Sequence, residues 1–132
     1  MPDAASPVFN FTKLVVADLE QAATFYKTVF GFQEWQRVEA EIEGRALKEV
    51  IFQPLAEGQP SLVLLHFVDS PSARDGEVIL GFTVKGIDGV FDRVTAAGGK
   101  VSVPVHPAED HGILVGFVRD IEGHLLEIVE LL

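Results

Sequence analysis

Apolar positions along the chain follow one pattern that runs twice. From Phe9 to Val16 apolar and β-branched residues crowd together as in a buried strand. Asp18, with Gln21 three places on, makes a capping-box pattern. Apolar residues at 19, 22, 23, 26, 29 and 30 then form a 3.6-period stripe that ends at Gly31, a helix stop. Residues 33–42 and 46–54 predict two strands joined through Glu43-Gly44-Arg45, a hairpin-type turn. A turn over 56–60 leads to a short apolar strand at 61–67. Residues 69–77, rich in Ser, Pro, Asp and Gly, read as a linker. The pattern then restarts. It predicts a strand over 78–84, a helix over 87–97 stopped by Gly98-Gly99, and a short strand over 100–104. A loop passes through Pro104 and Pro107, and strands over 113–119 and 124–130 flank a turn at 120–123.

The second run repeats the first at an offset of 68 positions: Leu19 maps to Ile87, Tyr26 to Val94 and Gly31 to Gly99. Two copies of a strand–helix–strands unit predict an α+β fold of two tandem βαβββ modules. They should form a cup-shaped, mostly antiparallel sheet with flanking helices. Module one covers about 9–68 and module two about 78–130, within a single domain over 1–132. Two half-sheets can face a shared cavity, so a functional site is expected between them.

Bulk properties narrow the function classes. At 132 residues the chain is long enough for a substantial core. No apolar run reaches the 18 residues that a spanning helix needs, and residues 1–10 lack a secretory layout. With no cysteine there is no disulfide, thiol nucleophile or thiolate ligand, which fits a cytoplasmic protein. The net charge of −10 disfavours nucleic acid and anionic membrane as partners, and as a general property favours solubility.

Val16-Ala-Asp18-Leu19, followed by Phe25-Tyr26 and Gly31-Phe32, and the late Arg119-Asp120-Ile-Glu-Gly123-His-Leu-Leu-Glu127, resemble the vicinal oxygen chelate superfamily. That superfamily includes glyoxalase I, extradiol dioxygenases, fosfomycin-resistance enzymes and bleomycin-resistance proteins. The chain departs from the usual late motif, with Ile121 and Glu122 where a proline and an aspartate are common. In metal-using members the resemblance implies ligands from the first and last strands of each half. The first-strand ligand falls at Phe11, its counterpart at Ile79, and the last strand of the second half supplies Glu127. Leu62-Val-Leu-Leu65 offers no acid for the remaining place. Because a divalent ion needs three or more N or O donors, no cofactor is predicted and a divalent metal is not expected. Glu127 would be its ligand only if one were present.

Glu127 alternates with Leu126 and Ile128, so it should point into the cup beside Leu125 and Val129. There it reads either as a base or ligand anchor, or as an acid paired with a basic group or reaching water. Lys13 should share the cup side with Phe11, pairing with Glu127, holding an anionic group or reaching solvent. Trp35, Phe52, Phe67, Phe82 and Phe117 are stacking candidates, Trp35 foremost. His66, His106, His111 and His124 read as rim, loop or turn histidines, with His111 at a plausible cup edge. Gly98-Gly99-Lys100 lacks the remaining residues of a phosphate loop.

The expected ligand-binding set is therefore Phe11, Lys13, Trp35, Ile79, His111 and Phe117, with Glu127 as a catalytic base should there be chemistry. The preferred reading is a glyoxalase/bleomycin-resistance-like homodimer that binds a small organic molecule in an apolar cup without a metal. The competing reading is a metal-dependent lyase, isomerase or dioxygenase of the glyoxalase type that uses Glu127. A third is a partner domain whose cup is filled by its own side chains.

Overall fold

The first unit comprises β1 (Phe11–Val15), α1 (Leu19–Phe30), β2 (Glu34–Ile42), β3 (Arg45–Phe52) and β4 (Ser61–Phe67). The second comprises β5 (Ile79–Thr83), α2 (Ile87–Ala96), β6 (Lys100–Ala108), β7 (Ile113–Arg119) and β8 (Leu125–Leu131). A computed structural model describes residues 9–42, 44–69, 78–108 and 112–132. Residues 1–8, most of the linker and His111 lie outside the described residues.

The strands form two four-stranded sheets, ordered β1-β4-β3-β2 and β5-β8-β7-β6. In each, the unit's first strand lies parallel beside its last, and the other pairings are antiparallel. This is the expected pair of βαβββ modules. The two helices and the helix-facing sides of both sheets share one apolar core. It joins Phe25, Tyr26 and Val29 of α1 to Val90, Phe91 and Val94 of α2, with Val50, Leu64, Val118, Leu126 and Ile128 from the strands. Phe30 stacks on Phe82 with ring centroids 4.0 Å apart, carrying the packing from one unit into the other.

The Asp18 cap and the Gly31 stop work as expected, but the capping box is not completed by Gln21, because Glu122 accepts the Asp18 N–H instead. The Asp18 carboxylate accepts the Gln21 N–H at 3.0 Å, and Gly31 ends α1 at φ +80°. The second stop differs in kind. The left-handed residue is Gly98, at φ +94°, not Gly99, the positional match of Gly31. Gly99 instead permits close approach, because a Cβ there would lie 2.5 Å from the Arg119 carbonyl oxygen and 2.7 Å from Val94 Cγ1. The expected loop through Pro104 and Pro107 is also corrected. β6 runs on to Ala108 as the edge of its sheet, the position at which a strand tolerates proline. Register shifts between Val101 and Val103 and between Val103 and His106 absorb the irregularity.

The units are clasped together at the β7–β8 turn. Asp120, buried, accepts the Tyr26 hydroxyl at 2.8 Å, His124 Nδ1 at 2.7 Å and the backbone N–H groups of Glu122 and His124. The other imidazole nitrogen, Nε2, lies 3.2 Å from the Val15 carbonyl oxygen of β1. The Glu122 carboxylate accepts the Ala17 and Asp18 N–H groups at 2.7 and 2.6 Å, at the start of α1. α2, whose cap Gly86 has no side chain, is served likewise by Glu130, which accepts the Ile87 N–H at 2.9 Å. His124, expected as an ordinary turn residue, thus bridges the two units. The hydrogen bond to Asp120 raises its pKa against the opposing pull of burial. Burial pushes the Asp120 carboxyl up, yet the hydrogen bond and charge of His124, with the Tyr26 hydroxyl, hold it below the ordinary range. Burial and the adjacent Asp120 charge push the Tyr26 hydroxyl well above its ordinary value.

Candidate functional site

Away from the helices, the first sheet presents a face built from the alternate residues of its strands. Lys13 registers with Val63, and Val63 with Ile51; Val15 registers with Leu65, and Leu65 with Glu49. These residues share one side because side chains alternate along a strand. A cavity of about 260 Å³ opens on this face, lined by Phe11, Lys13, Trp35, Glu49, Ile51 and Val63, with Asn10 and Ser61 at one end. Trp35 reaches it through an irregularity. The β2–β3 register shifts between Glu34 and Gln36, so Trp35 is the extra residue of a bulge, and it lies on the cavity with Ile51.

Two of the lining residues form an ion pair. Lys13 Nζ donates to Glu49 Oε2 at 2.6 Å, with the lysine side chain 35% exposed and the glutamate side chain 7%. β4 lies between the strands that carry them, so the two long side chains reach toward each other across its width. Val63 and Leu65 of that strand are buried although they lie outside the helix-side core. The Lys13 ammonium also stands 5.9 Å from the centre of the Phe11 ring, within cation–π range. Of the three readings of Lys13, the pairing with Glu127 is therefore overturned. Glu49 lies within reach in the same sheet, whereas Glu127 belongs to β8 of the other sheet.

Phe11, Lys13 and Trp35, all anticipated, converge on this cavity, and Glu49 is added to them. The signal for Glu49 was present, since it is the acidic member of an alternating Leu47, Glu49, Ile51 face. Of the other anticipated residues, Ile79, Phe117 and Glu127 sit on the second sheet. Ile79 is half exposed on the edge strand β5. Glu127 lies opposite Phe117 on one side and Gly81 on the other. It is partly buried, and among the described residues no hydrogen bond or ion pair holds it. A second cavity, of about 320 Å³, lies where the units meet, lined by Thr12, Phe32 and Leu62 of the first and Leu80, Gly81 and Phe82 of the second.

Other candidates are absorbed by the scaffold. Phe52 is buried in the core, stacked on Phe32. Phe67 lies under the Arg45 guanidinium at 3.7 Å. His66 Nδ1 lies 3.0 Å from the Val16 carbonyl oxygen, and His106 Nδ1 lies 2.9 Å from that of Pro104, on a strand where a loop was expected.

The donor chemistry does not fit the ion that the superfamily resemblance implies. Phe11 and Ile79 have no donor atoms, β4 offers Val63 and Leu65, and only Glu127 of the aligned places carries oxygens. Among the described residues no group of three or more His, Asp or Glu side chains is placed to hold a metal.

Comparison with known proteins agrees with this architecture. The profile of the Glyoxalase/Bleomycin resistance protein/Dioxygenase superfamily matches residues 8–128. A probable lactoylglutathione lyase from Vibrio parahaemolyticus is 26% identical over 122 residues, covering 90% of this chain and 87% of the relative. Among solved structures, a glyoxalase family protein from Bacillus cereus superposes with a TM-score of 0.80 at 21% identity, covering 98% of each chain. A genomically encoded fosfomycin resistance protein from Listeria monocytogenes superposes with a TM-score of 0.68 at 20% identity, covering 95% of this chain and 93% of that one. At these identities the superpositions speak to the fold.

Proposed function

The chain belongs to the glyoxalase/bleomycin resistance protein/dioxygenase superfamily, and from that premise we propose that it binds a small organic molecule in the cavity of the first unit, without a metal ion. The observation that carries this reading is the buried Glu49 held by Lys13 in a cavity walled by Phe11, Trp35, Ile51 and Val63. Aromatic and aliphatic walls supply non-directional affinity, and a small number of fixed polar atoms supply orientation, which is the usual division of labour in ligand sites. On this reading Phe117 and Ile79 supply the opposing, second-sheet side of the cup. The protein acts in the cytoplasm as a homodimer, the second copy covering the exposed apolar residues Phe9 and Val78 next to the edge strands β1 and β5. Native mass spectrometry of the protein as purified tests all three parts. A dimer mass with a retained organic molecule and no metal is the expected result; a stoichiometric metal ion overturns it.

One observation favours a second reading, a glyoxalase-type metal-dependent lyase, isomerase or dioxygenase with Glu127 as base or ligand: the similarity to a probable lactoylglutathione lyase. Elemental analysis decides between the two. Nickel, zinc, iron or manganese bound one per chain, and lost in Glu127→Gln, would establish the enzymatic reading.

A further inference from the structure

Resting on the reading of the first-unit cavity as the ligand site, we infer that the Lys13–Glu49 pair selects an uncharged, flat ring system bearing a hydrogen-bond acceptor next to an N–H donor. This is the chemistry of a cyclic amide fused to an aromatic ring. The pair is already neutral as a unit. Glu49 is 6% exposed, and its Oε2 accepts from Lys13 at 2.6 Å. Both residues line the cavity, and a ligand there would draw on the second carboxylate oxygen of Glu49 and the other N–H bonds of Lys13.

Charge decides which ligands suit that pair. An anion must compete with Glu49 for Lys13 while standing beside a nearly buried carboxylate. A cation must stand beside the Lys13 ammonium or displace it. Either arrangement leaves one charge poorly compensated in a partly desolvated place, and an uncompensated buried charge is strongly unfavourable. A neutral amide leaves the ion pair intact and adds two hydrogen bonds. Its C=O accepts from Lys13 and its N–H donates to Glu49, each strengthened by the charge on the protein partner. The walls favour planarity, since Phe11 and Trp35 offer ring faces and Ile51 and Val63 offer an aliphatic floor. A volume of about 260 Å³ is ample for a fused bicycle. The net charge of −10 is thus a property of the outer surface, not a guide to the ligand's charge.

The chain has one tryptophan, Trp35, on the cavity wall, so a single indole N–H resonance reports on this site alone. Four probes on one carbon frame separate the possibilities: oxindole, the neutral cyclic amide; indane, the bare hydrocarbon; indane-2-carboxylate, the anion; and 2-aminoindane, the cation. Titrations of the full chain followed at the Trp35 resonance should rank oxindole first, at least tenfold tighter than each of the other three. In the double variant Lys13→Met/Glu49→Leu, which leaves no unpaired charge, oxindole should fall to within about twofold of indane. The wild-type ranking requires no variant and decides the matter even if the double variant fails to fold. Indane binding as tightly as oxindole, either ion outranking oxindole, or an oxindole preference surviving in the folded double variant would each overturn the inference while leaving the cavity a ligand site. If none of the four moves the Trp35 resonance, the inference and the reading it rests on fall together.

Discussion

The two units share one plan and diverge in what they place on it. Both run βαβββ, both lay the first strand parallel beside the last, and both pack a helix on one side of the sheet. On the opposite side the first sheet carries a closed ion pair, a bulged tryptophan and a defined cavity. The second carries Glu127 between Phe117 and Gly81, among half-buried aliphatic residues. Duplication has kept the backbone pattern while the chemistry of the two faces has moved apart, so the site is asymmetric although the scaffold is nearly repeated. Even the matched glycines differ: Gly31 is required by its dihedral angle, Gly99 by the atoms around it.

The largest effect is expected where the units are joined. Asp120→Ala strips acceptors from Tyr26, His124 and two backbone N–H groups. Loss of a buried carboxylate with several donors should cost about 3 kcal/mol or more. Denaturant unfolding followed both by Trp35 fluorescence and by far-ultraviolet circular dichroism checks this. The variant should unfold earlier, and coincident, unshifted transitions would show that the clasp contributes nothing. Next comes the pair of glycines. Gly99→Ala forces a Cβ against the Arg119 carbonyl oxygen at 2.5 Å, a backbone atom that cannot swing away, and should cost about 3 kcal/mol. Gly31→Ala meets nothing within 4 Å and should cost only the left-handed backbone strain, about 1 kcal/mol. Equal losses in thermal or urea unfolding would erase the distinction.

Two charge substitutions then compare the faces directly. Lys13→Met leaves Glu49 buried without its counter-charge and should cost about 2 kcal/mol, a figure reduced because the ammonium is partly hydrated. Glu127→Gln disturbs no ion pair among the described residues and should fall within about 0.5 kcal/mol of the parent. A destabilising Glu127→Gln would mean that the charge on the second face supports the fold as strongly as the pair on the first.

The smallest effect is a dependence on pH. His124 binds its proton more tightly in the folded chain, so its contribution is complete below about pH 6.5 and is lost as pH rises through the raised folded value. Asp120, held below its ordinary range, acts in the opposite sense. Its contribution is complete above about pH 4 and is lost as pH falls. Stability measured by urea midpoints should therefore be greatest between these limits, and His124→Asn should flatten the decline on the alkaline side. An unchanged alkaline limb in that variant would remove His124 from the clasp.

What could be read from the sequence was what is local. The Asp18 cap, the Gly31 stop and the 3.6-period stripe of α1 depend on residues within a turn or two of one another, and the structure contains all three. The repeat at 68 positions likewise foretold two sheets of one plan. Strand-to-strand relations were less legible. Pro104 and Pro107 argue for a loop unless β6 is known to be an edge, and edge position is set by the order of the whole sheet. The partner of Lys13 depends on the register of three strands, and periodicity alone does not supply it. His124 reads as a turn residue in the sequence because its two partners, Asp120 and Val15, are four and 109 positions away. Only the nearer lies within range of a local pattern.

The most direct test is an electron-density map of the protein purified without chelator and kept with whatever it retains. Flat organic density between Phe11 and Trp35, contacting the Lys13–Glu49 pair, with no ion beside Glu127, is the expected result. A cation coordinated by Glu127 at about 2 Å, with the first-unit cavity holding only solvent, would contradict it.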